Sequence, residues 1–367
     1  MKNAVLIAGY YGYGNAGDEY LLKKTITLIK ECWQNAKICV LYPKKSPVIH
    51  KHFPLAAAHF NKPFQKSSLT YLSFCPRFSL IKVVAAMLKS DCVLFGGGGL
   101  FQDSSSKRSI FYYLFLYQLA VLFKKPVYLV SQGIGPIKSR VAKWLFSKLL
   151  KKTIPNRISV RDQESLNVIQ SLSSFQPVLS SDLAYFKYNP SFKDPHENEL
   201  PAIGISLRTI TSRAPWISSL ETFFQKVNEP LVFLDFYHKQ DSDFFKKNTS
   251  LFSNFEASLD MNKVLVEQEH VPYSIQLVIG MRYHACVWAS LNHIPFLALA
   301  HDPKLIELAK DLKQEYLDFN SPDFSADSLI NTMTKIQKNL TKYKKNLLTN
   351  LPGLIKRAHL NTEILKK

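Results

Sequence analysis

The chain has 367 residues, of which 46% are hydrophobic and 20% charged, so it is long enough for two domains and too apolar to be intrinsically disordered. Its 47 Lys and Arg exceed its 28 Asp and Glu, and the net charge of +19 favours an anionic partner: a phosphorylated substrate, an acidic membrane surface or nucleic acid. Five scattered cysteines without a C-x-x-C pair indicate neither a disulfide framework nor a zinc site, as is usual in a reducing cytosol.

Short apolar strands alternate with helical patterns along the first half of the chain. The strands lie at residues 4–8, 37–42, 92–95, 127–130 and 157–160, and each runs into glycines or charged residues. A parallel sheet with helices on both faces brings such loops to one edge. This half therefore predicts a doubly wound domain.

A second series begins after a polar, proline-bearing stretch at residues 187–201, which we interpret as a linker. Its strands lie at 202–208, 231–234, 277–279 and 296–299. We predict an α/β fold of two Rossmann-like doubly wound domains facing a cleft, at residues 1–190 and 200–367. The Lys-rich tail from residue 325 is predicted to be helical, with its last helix packing back on the first domain.

Two apolar runs bear on membranes and targeting. The run at residues 110–123 is too short to cross a bilayer and predicts a buried helix, with an interfacial helix as the alternative. The N-terminal run breaks at Gly9 without a signal-peptide pattern behind it. We therefore expect a cytoplasmic protein.

Residues 12–17 match the pattern G-x-G-x-x-G, which is typical of dinucleotide-binding folds. The second strand, however, ends in lysines where an acidic residue would hold a ribose. Asp18 and Glu19 also bring negative charge to the helix start where a pyrophosphate would bind. We interpret the segment as a turn that brings Asn15 and Asp18 to the ligand-binding edge.

Four consecutive glycines at residues 96–99 follow the strand at 92–95. Such a run is costly in chain entropy. It indicates either a close approach of the backbone to a ligand, whose charge the amides would hold, or tight packing between strand and helix. In the first case Gln102 and Asp103 are candidates for contact with sugar hydroxyls.

The segment 278–285 joins an apolar strand to a helix and places Arg282 two residues before His284. Arg208 follows the first strand of the second half in the same way. An Arg at a strand's carboxyl end suits a carboxylate or phosphate, with a solvated Arg as the alternative. His284 is correspondingly either a proton donor or a capping or core residue.

Taken together, these segments resemble the polysaccharide pyruvyl transferase family, bacterial enzymes that transfer pyruvate from phosphoenolpyruvate to a cell-wall polysaccharide sugar. The resemblance covers most of the chain and rests on ordered motifs at residues 9–19, 95–103, 132–136, 159–162 and 278–304. It implies two domains similar to the GT-B glycosyltransferases. It also implies phosphoenolpyruvate as the donor substrate, with no cofactor and no metal.

The resemblance further implies a donor site in the second domain. Arg208 and Arg282 would hold phosphoenolpyruvate, and His284 would be the acid. Tyr283 would lie in the same pocket. Relatives usually have Leu at its position, so this residue puts the shape of the pocket wall, and hence the acceptor, in question.

The first domain would then take the sugar acceptor. Asp18 and Asp103 are candidates for the base that deprotonates its hydroxyl. The other candidates for the acceptor side are Asn15, Gly98, Gly99, Gln102, Gly133 and Arg161.

The charge and the expected acceptor suggest a place of action. A sugar chain on a lipid diphosphate would bring the enzyme to the inner face of the plasma membrane, where exposed lysines would hold it peripherally. A glycosyltransferase using a nucleotide sugar is the alternative function. Nucleic acid is not expected as a partner, because the sequence has none of the recognised nucleic-acid-binding motifs.

Overall fold

The computed structural model describes residues 2–43, 72–103, 106–174, 176–188, 200–208 and 216–366. The chain divides into two compact units. The first comprises Met1–Gly14, Asp18–Lys187 and Leu354–Lys367, and the second comprises Asn15–Gly17 and Tyr188–Gly353. Most of the predicted linker, residues 189–199, lies outside the described residues.

The first unit is built on an eight-stranded sheet in the order β3-β2-β1-β4-β6-β7-β8, with β5 also paired to β6 and all pairings parallel. Its strands are β1 Ala4–Ala8, β2 Lys37–Tyr42, β3 Leu72–Pro76, β4 Cys92–Phe95, β5 Gly98–Phe101, β6 Val127–Ile134, β7 Ile158–Val160 and β8 Val178–Leu179. The central strands β1, β4 and β6 are almost entirely buried, as their unbroken apolar sequences predict for a sheet covered on both faces.

The helices of this unit connect successive strands. They are α1 Ala16–Cys32, α2 Leu80–Lys89, α3 Lys107–Leu122, α4 Arg140–Leu150 and α5 Gln163–Leu172, with short 3₁₀ turns at Pro155–Arg157 and Leu183–Tyr185. Connections between parallel strands are right-handed. The connection through α1 leads from β1 to β2, in the direction of the β3 edge of the sheet. The connections through α2, α3, α4 and α5 each lead in the opposite direction, towards the β8 edge. These four helices therefore cover the face of the sheet opposite α1.

The second unit repeats the strand order in a six-stranded parallel sheet, β11-β10-β9-β12-β13-β14. Its strands are β9 Leu200–Ser206, β10 Leu231–Asp235, β11 Phe255–Asp260, β12 Tyr273–Gly280, β13 Phe296–Ala300 and β14 Glu315–Asp318. Its helices are α6 Trp216–Lys226, α7 His238–Lys247, α8 Tyr283–Leu291, α9 Pro303–Asp311, α10 Ala326–Lys338 and α11 Leu340–Lys366, with a 3₁₀ turn at Thr249–Phe252 and a π-helical turn at Lys263–Glu267. In this order the chain reverses direction between β9 and β12, which is where such sheets bind ligands.

The units divide the chain at points that differ from the predicted boundaries. The division in α11 falls just after Pro352, whose missing N–H interrupts the helical hydrogen bonds. The segment from Leu354 belongs to the first unit. There Asn361, with no exposed surface, accepts from Ser159 Oγ at 2.6 Å and donates to Ser180 Oγ at 2.8 Å, so it is part of that unit's core.

Among the described residues, no helix is both long enough and apolar enough to cross a membrane. The run predicted as a buried helix forms α3, but one of its faces is exposed. Phe111, Phe115 and Leu122 are 38%, 45% and 64% exposed. The helix is therefore buried on one side only, because none of the described residues forms a layer over its other side.

Candidate functional site

Two arginines follow neighbouring strands at the switch point of the second sheet. Ser206 of β9 pairs with Gly280 of β12, and Met281 donates its N–H to the Ser206 carbonyl at 2.7 Å. Arg208 and Arg282 come directly after these residues. The structure therefore brings both predicted cations to the carboxyl edge where this strand order places ligands.

Arg282 is held by a buried carboxylate. Its Nε donates to Asp241 Oδ2 at 3.0 Å, and its Nη2 pairs with Oδ1 of the same side chain. Asp241 has no exposed surface and also accepts the N–H of Tyr237 at 2.9 Å. The pair fixes the direction of the Arg282 guanidinium and offsets much of its charge.

Arg208 differs from Arg282, because no carboxylate of the described residues pairs with it. Its Nη1 donates to Nε2 of His301, 3.0 Å away. Burial and the nearby charge of Arg282 lower the pKa of Arg208. The charges of Asp302 and Asp241 oppose this lowering, but among the described residues neither carboxylate forms an ion pair with Arg208. A partly buried arginine without a paired carboxylate favours an anionic ligand beside it.

His301 follows β13 and was not identified from the sequence. Burial first, and then Arg208, lower its pKa to about 4, so its imidazole is neutral near pH 7. Because a guanidinium can only donate, Nε2 is the acceptor and the proton is on Nδ1. Arg208 and Arg282 were selected because they follow the carboxyl ends of predicted strands, and His301 follows the predicted strand at 296–299 in the same way.

His284 is the second residue of α8 and packs against the backbone of Gly17. A methyl group added at Gly17 would lie 2.1 Å from His284 Nδ1, so any larger residue would have to displace the imidazole. Gly17 is kept in place by its neighbours within the second unit. Ala16 donates its N–H to the Phe236 carbonyl at 2.7 Å, and Asn15 forms an antiparallel bridge with Tyr237.

Tyr283 borders the same imidazole. Its ring stands edge-on to that of His284, with centroids 5.5 Å apart. Both side chains are partly exposed. Tyr283 therefore limits the space on one side of His284.

An Asp–His pair at the same edge of this sheet was also missed. Asp235 ends β10 and is 4% exposed, and its Oδ2 lies 2.7 Å from Nδ1 of His238. Burial raises the pKa of Asp235 to about 6, against the opposing effect of His238. The His238 side chain is 74% exposed, so an imidazole oriented by a buried carboxylate faces solvent.

In the first unit, the glycine turn after β1 is occupied by a carboxylate of the chain itself. Glu19, with no exposed surface, accepts the N–H of Gly12 at 2.6 Å and of Gly14 at 3.4 Å. Burial raises the pKa of Glu19 to about 7. A dinucleotide pyrophosphate would need the same amides, so the structure supports our interpretation of this pattern as a turn.

Packing explains one of the four consecutive glycines at residues 96–99, whereas others of the run lie near side chains that could contact a ligand. A methyl group at Gly96 would lie 2.1 Å from the Tyr11 hydroxyl, so this glycine is required by packing. Gly98 has φ +118° and its added methyl group would lie 3.4 Å from Asp18 Oδ1. An added methyl group at Gly99 would come no closer than 3.6 Å to Gln102 Nε2. Asp18, Gly98, Gly99 and Gln102 thus form one group at the carboxyl edge of the first sheet.

Asp103 has a structural role instead. Its Oδ2 accepts the N–H of Lys138 at 2.9 Å and of Ser139 at 2.8 Å, and its Oδ1 accepts that of Lys138 at 2.8 Å. These bonds tie the strand end to the turn before α4 and occupy both oxygens. We therefore remove Asp103 from the candidates for a catalytic base.

Arg161 forms an ion pair within the first unit. It is 8% exposed, and its Nη1 donates to Asp182 Oδ2 at 2.7 Å. A methyl group at Gly133 would lie 2.8 Å from Arg161 Nε, so this glycine makes room for the guanidinium. Gly133 and Arg161 shape the sheet edge, with their polar groups directed to the protein.

A buried cation that the sequence did not indicate supports the glycine turn. Arg77, 5% exposed, donates from Nη1 to the Gly9 carbonyl at 3.3 Å and from Nη2 to the Tyr113 hydroxyl at 3.0 Å. Its guanidinium also lies 4.7 Å from the centroid of the Tyr112 ring. Aromatic rings replace a carboxylate as its neighbours.

No group of three or more His, Cys, Asp and Glu side chains within the described residues has the arrangement of a metal site. The polar groups that remain for a ligand in the second unit are cations and imidazoles, which suit an anion. In the first unit the polar groups near the glycines are Asp18, the Gln102 amide and backbone groups, which are of the kinds that bind hydroxyls.

Two α/β units with this strand order define a protein with the fold of the GT-B glycosyltransferases. Anabaena HepE in complex with UDP-glucose is similar at a TM-score of 0.59 and 12% identity, over 99% of this chain and 98% of that one. The UDP-GlcNAc 2-epimerase of Neisseria meningitidis bound to UDP-GlcNAc is similar at 0.57 and 14% identity, over 99% of each chain. MurG of Acinetobacter baumannii is similar at 0.53 and 13% identity, over 100% of each chain.

The sequence itself gives the family. The model of the polysaccharide pyruvyl transferase family matches residues 15–272, and the chain belongs to this family. No curated protein matches the chain. Arg208 lies within the matched residues, whereas Arg282, His284 and His301 lie beyond them, so their placement rests on the geometry of the second sheet.

Proposed function

We propose that this protein transfers the pyruvyl group of phosphoenolpyruvate to a sugar of a cell-wall or surface polysaccharide, forming a pyruvate ketal and releasing phosphate. The observation that carries the proposal is that Arg208, which has no ion-pair partner among the described residues, lies next to Arg282 at the switch point of the second sheet. Phosphoenolpyruvate carries a carboxylate and a phosphate. Two guanidinium groups can bind both of these anions.

The reaction begins with protonation of the methylene carbon of phosphoenolpyruvate. This produces an oxocarbenium-like carbon, which one sugar hydroxyl attacks with loss of its proton. The C–O bond to phosphate then breaks, and a second hydroxyl attacks the same carbon to close the ketal. One hydroxyl proton replaces the proton taken up by carbon and the other leaves with phosphate, so the reaction balances without an oxidant or reductant.

We assign the protonation step to His284 as the general acid, because an imidazole titrates near the working pH. Arg208 provides the positive charge for the departing phosphate, and Arg282, oriented by Asp241, provides a second donor. Tyr283 borders the donor. We further propose that no cofactor and no metal takes part, so a chelator should leave turnover unchanged.

We place the acceptor at the group formed by Asp18, Gly98, Gly99 and Gln102 of the first unit. Asp18 is the proposed base for the attacking hydroxyl, and the Asp235–His238 pair is the alternative base. An acceptor carried on a lipid diphosphate would place the reaction at the inner face of the plasma membrane. Such an acceptor would also account for part of the net charge of +19.

Transfer of a sugar from a nucleotide sugar is the second candidate function. It is favoured by the bound ligands of HepE and the epimerase, which are UDP-glucose and UDP-GlcNAc. The family match favours pyruvyl transfer instead. Calorimetric titration with phosphoenolpyruvate and with nucleotide sugars separates the two, because only the true donor should bind.

The deciding experiment incubates the protein with phosphoenolpyruvate and candidate acceptor saccharides and analyses the products by mass spectrometry. We expect an acceptor that gains the mass of pyruvate minus one water, with one phosphate released per ketal. Arg208→Gln should weaken phosphoenolpyruvate binding about a hundredfold, while Arg140→Gln on the exposed side of α4 should not. Tight binding of a nucleotide sugar without any binding of phosphoenolpyruvate would overturn the proposal.

A further inference from the structure

The large hydrophobic side chains that the described residues expose are concentrated in one region of the first unit. All except Tyr316 and Leu348 lie between residues 78 and 154. The most exposed are Ile81 at 83% and Phe78 at 73%. Single exposed apolar residues need no explanation, but a concentration of this size marks an interaction surface.

These side chains recur at helical spacing. In α3, Phe111, Phe115 and Leu122 lie on one stripe, while Ile110 and Leu114 of the same helix are fully buried against the sheet. In α4, Val141 and Trp144 are 62% and 58% exposed. Each helix thus has a second apolar stripe on the side that faces away from its own core.

The helices that carry these stripes lie on the same face of the first sheet. Right-handed connections place α2, α3 and α4 together on the face opposite α1. Contacts agree with this, because the Phe78 ring before α2 lies 5.7 Å from that of Tyr112 in α3. We call the exposed side of α2, α3 and α4, from Phe78 to Lys148, the outer face.

The same stretch of sequence is almost free of acidic residues. Between Glu31 and Asp162 the only ones are Asp91 and Asp103. Asp103 is occupied by the N–H groups before α4, and Asp91 accepts the N–H groups of Asn3 and Ala4 at the opposite edge of the sheet.

Basic residues, by contrast, accompany the apolar stripes. Exposed members on these helices are Lys82, Lys89, Lys107, Arg108, Arg140, Lys143 and Lys148. The Lys148 ammonium lies 3.9 Å from the centroid of the Trp144 ring. The outer face therefore presents apolar side chains and positive charge together.

We propose that the outer face of α2, α3 and α4 docks on an anionic lipid bilayer. Apolar side chains would enter the boundary between headgroups and acyl chains, and the lysines and arginines would pair with lipid phosphates. A second copy of this chain does not fit the surface, because two such faces would repel each other. A bound nucleic acid would pair with the basic side chains but would leave the apolar side chains of Ile81, Leu122 and Val141 exposed to solvent.

This inference deepens the proposed function, because it rests on an acceptor held at a membrane and names the surface that brings the enzyme there. It can nevertheless be tested without the reaction. Vesicles that contain neither donor nor acceptor measure docking alone. Turnover with a lipid-free acceptor saccharide measures the chemistry alone.

The experiment is sedimentation of the full chain with vesicles of phosphatidylcholine, with and without phosphatidylglycerol, at low and high salt. We expect binding only to the vesicles with phosphatidylglycerol, weakened by salt. Ile81→Ser, Leu122→Ser and Trp144→Ser combined should weaken binding about a hundredfold. Their matched control is Tyr316→Ser with Leu348→Ser, at the exposed apolar side chains outside the outer face.

A second pair of variants tests the charges with equal changes in net charge. Arg108→Glu with Lys143→Glu should weaken binding about tenfold or more, and Lys344→Glu with Lys345→Glu in α11 should have a clearly smaller effect. All four multiple variants should keep turnover on a lipid-free acceptor. Equal losses in both charge pairs, binding to RNA in place of vesicles, or a dimer that the serine variant dissolves would each overturn the proposal.

Discussion

The two sheets have the same strand order, but their carboxyl edges differ in chemistry. In the first unit the edge carries glycines with Asp18 and Gln102 beside them, and Glu19 accepts from the amides of the glycine turn. In the second unit the edge carries Arg208, Arg282 and three imidazoles. The same topology therefore forms an edge of glycine, amide and carboxylate groups in one unit and an edge of arginines and imidazoles in the other.

The carboxyl edges of the two sheets therefore suit different ligands, although they occupy equivalent positions in the two units. The first edge suits hydroxyl groups and the second suits an anionic donor. Substitutions in the second edge should therefore affect the donor and the chemical step. Substitutions in the first should affect the acceptor or stability alone.

The largest effect is expected at His284. His284→Gln should lower kcat by about two to four orders of magnitude and leave the Kd of phosphoenolpyruvate nearly unchanged, because the acid is lost and the arginines remain. His301→Gln is the matched comparison, since it should mainly weaken phosphoenolpyruvate binding through Arg208. Steady-state kinetics with calorimetric titration distinguish the two. Normal turnover in His284→Gln would leave the second edge without its proposed acid.

Asp18 and Asp103 allow the first edge to be tested in the same way. Asp18→Asn should lower kcat about ten- to a hundredfold, because the acceptor hydroxyl loses its base. Asp103→Asn should leave kcat intact and reduce stability by about 1 kcal/mol, because it weakens the bonds to Lys138 and Ser139. Turnover and thermal unfolding of both variants would show whether the two carboxylates differ. If Asp18→Asn is fully active, the base is to be sought at Asp235 and His238.

A smaller loss is expected from Gly17→Ala, which displaces the His284 ring without removing it. The added methyl group would overlap Nδ1 at 2.1 Å, so we expect kcat to fall about tenfold or more. Gly353→Ala is the control, because nothing lies within 4 Å of a methyl group there. Both changes reduce the flexibility of the unfolded chain alike. Equal kinetics in the two variants would contradict the contact between Gly17 and His284.

The last effect concerns the pH dependence of stability, with no change expected in the kinetics of the donor site. The pKa of Glu19 is raised from 4.5 to about 7, so the folded chain binds more protons than the unfolded chain between these values. This contribution to stability is present at low pH and is lost as pH rises to about 7. Glu19→Gln should remove it, so wild type should lose about 3 kcal/mol relative to the variant between pH 4.5 and 8. Denaturant titrations at both pH values measure the change, and parallel pH profiles would refute it.

The sequence predicted the parts of the molecule that depend on local patterns. Buried apolar strands ending in Gly or Arg gave the doubly wound units, and the same pattern led to Arg208, Arg282 and His284. What it could not predict are partners distant in the chain. Asp241 reaches Arg282 from another helix. The sequence position of Asp103 after a strand is typical of a ligand-binding residue, but the N–H groups of Lys138 and Ser139 donate to its carboxylate. Likewise, the apolar run of α3 left a buried and an interfacial helix open, because the choice depends on which parts of the chain cover it.

The helix α11 has a consequence for how the chain folds during synthesis. The core of the first unit includes Asn361, bonded to Ser159 and Ser180, and the Leu365 carbonyl, which accepts from Trp33 Nε1 at 3.1 Å. A nascent chain emerging from the ribosome therefore lacks part of this core until the whole second unit has been translated. The second unit can complete its sheet earlier, although it comes later in the sequence. Released chains that end at Gly353 should accordingly carry a folded second unit and an incomplete first unit, a vulnerable stage at which chaperones would act.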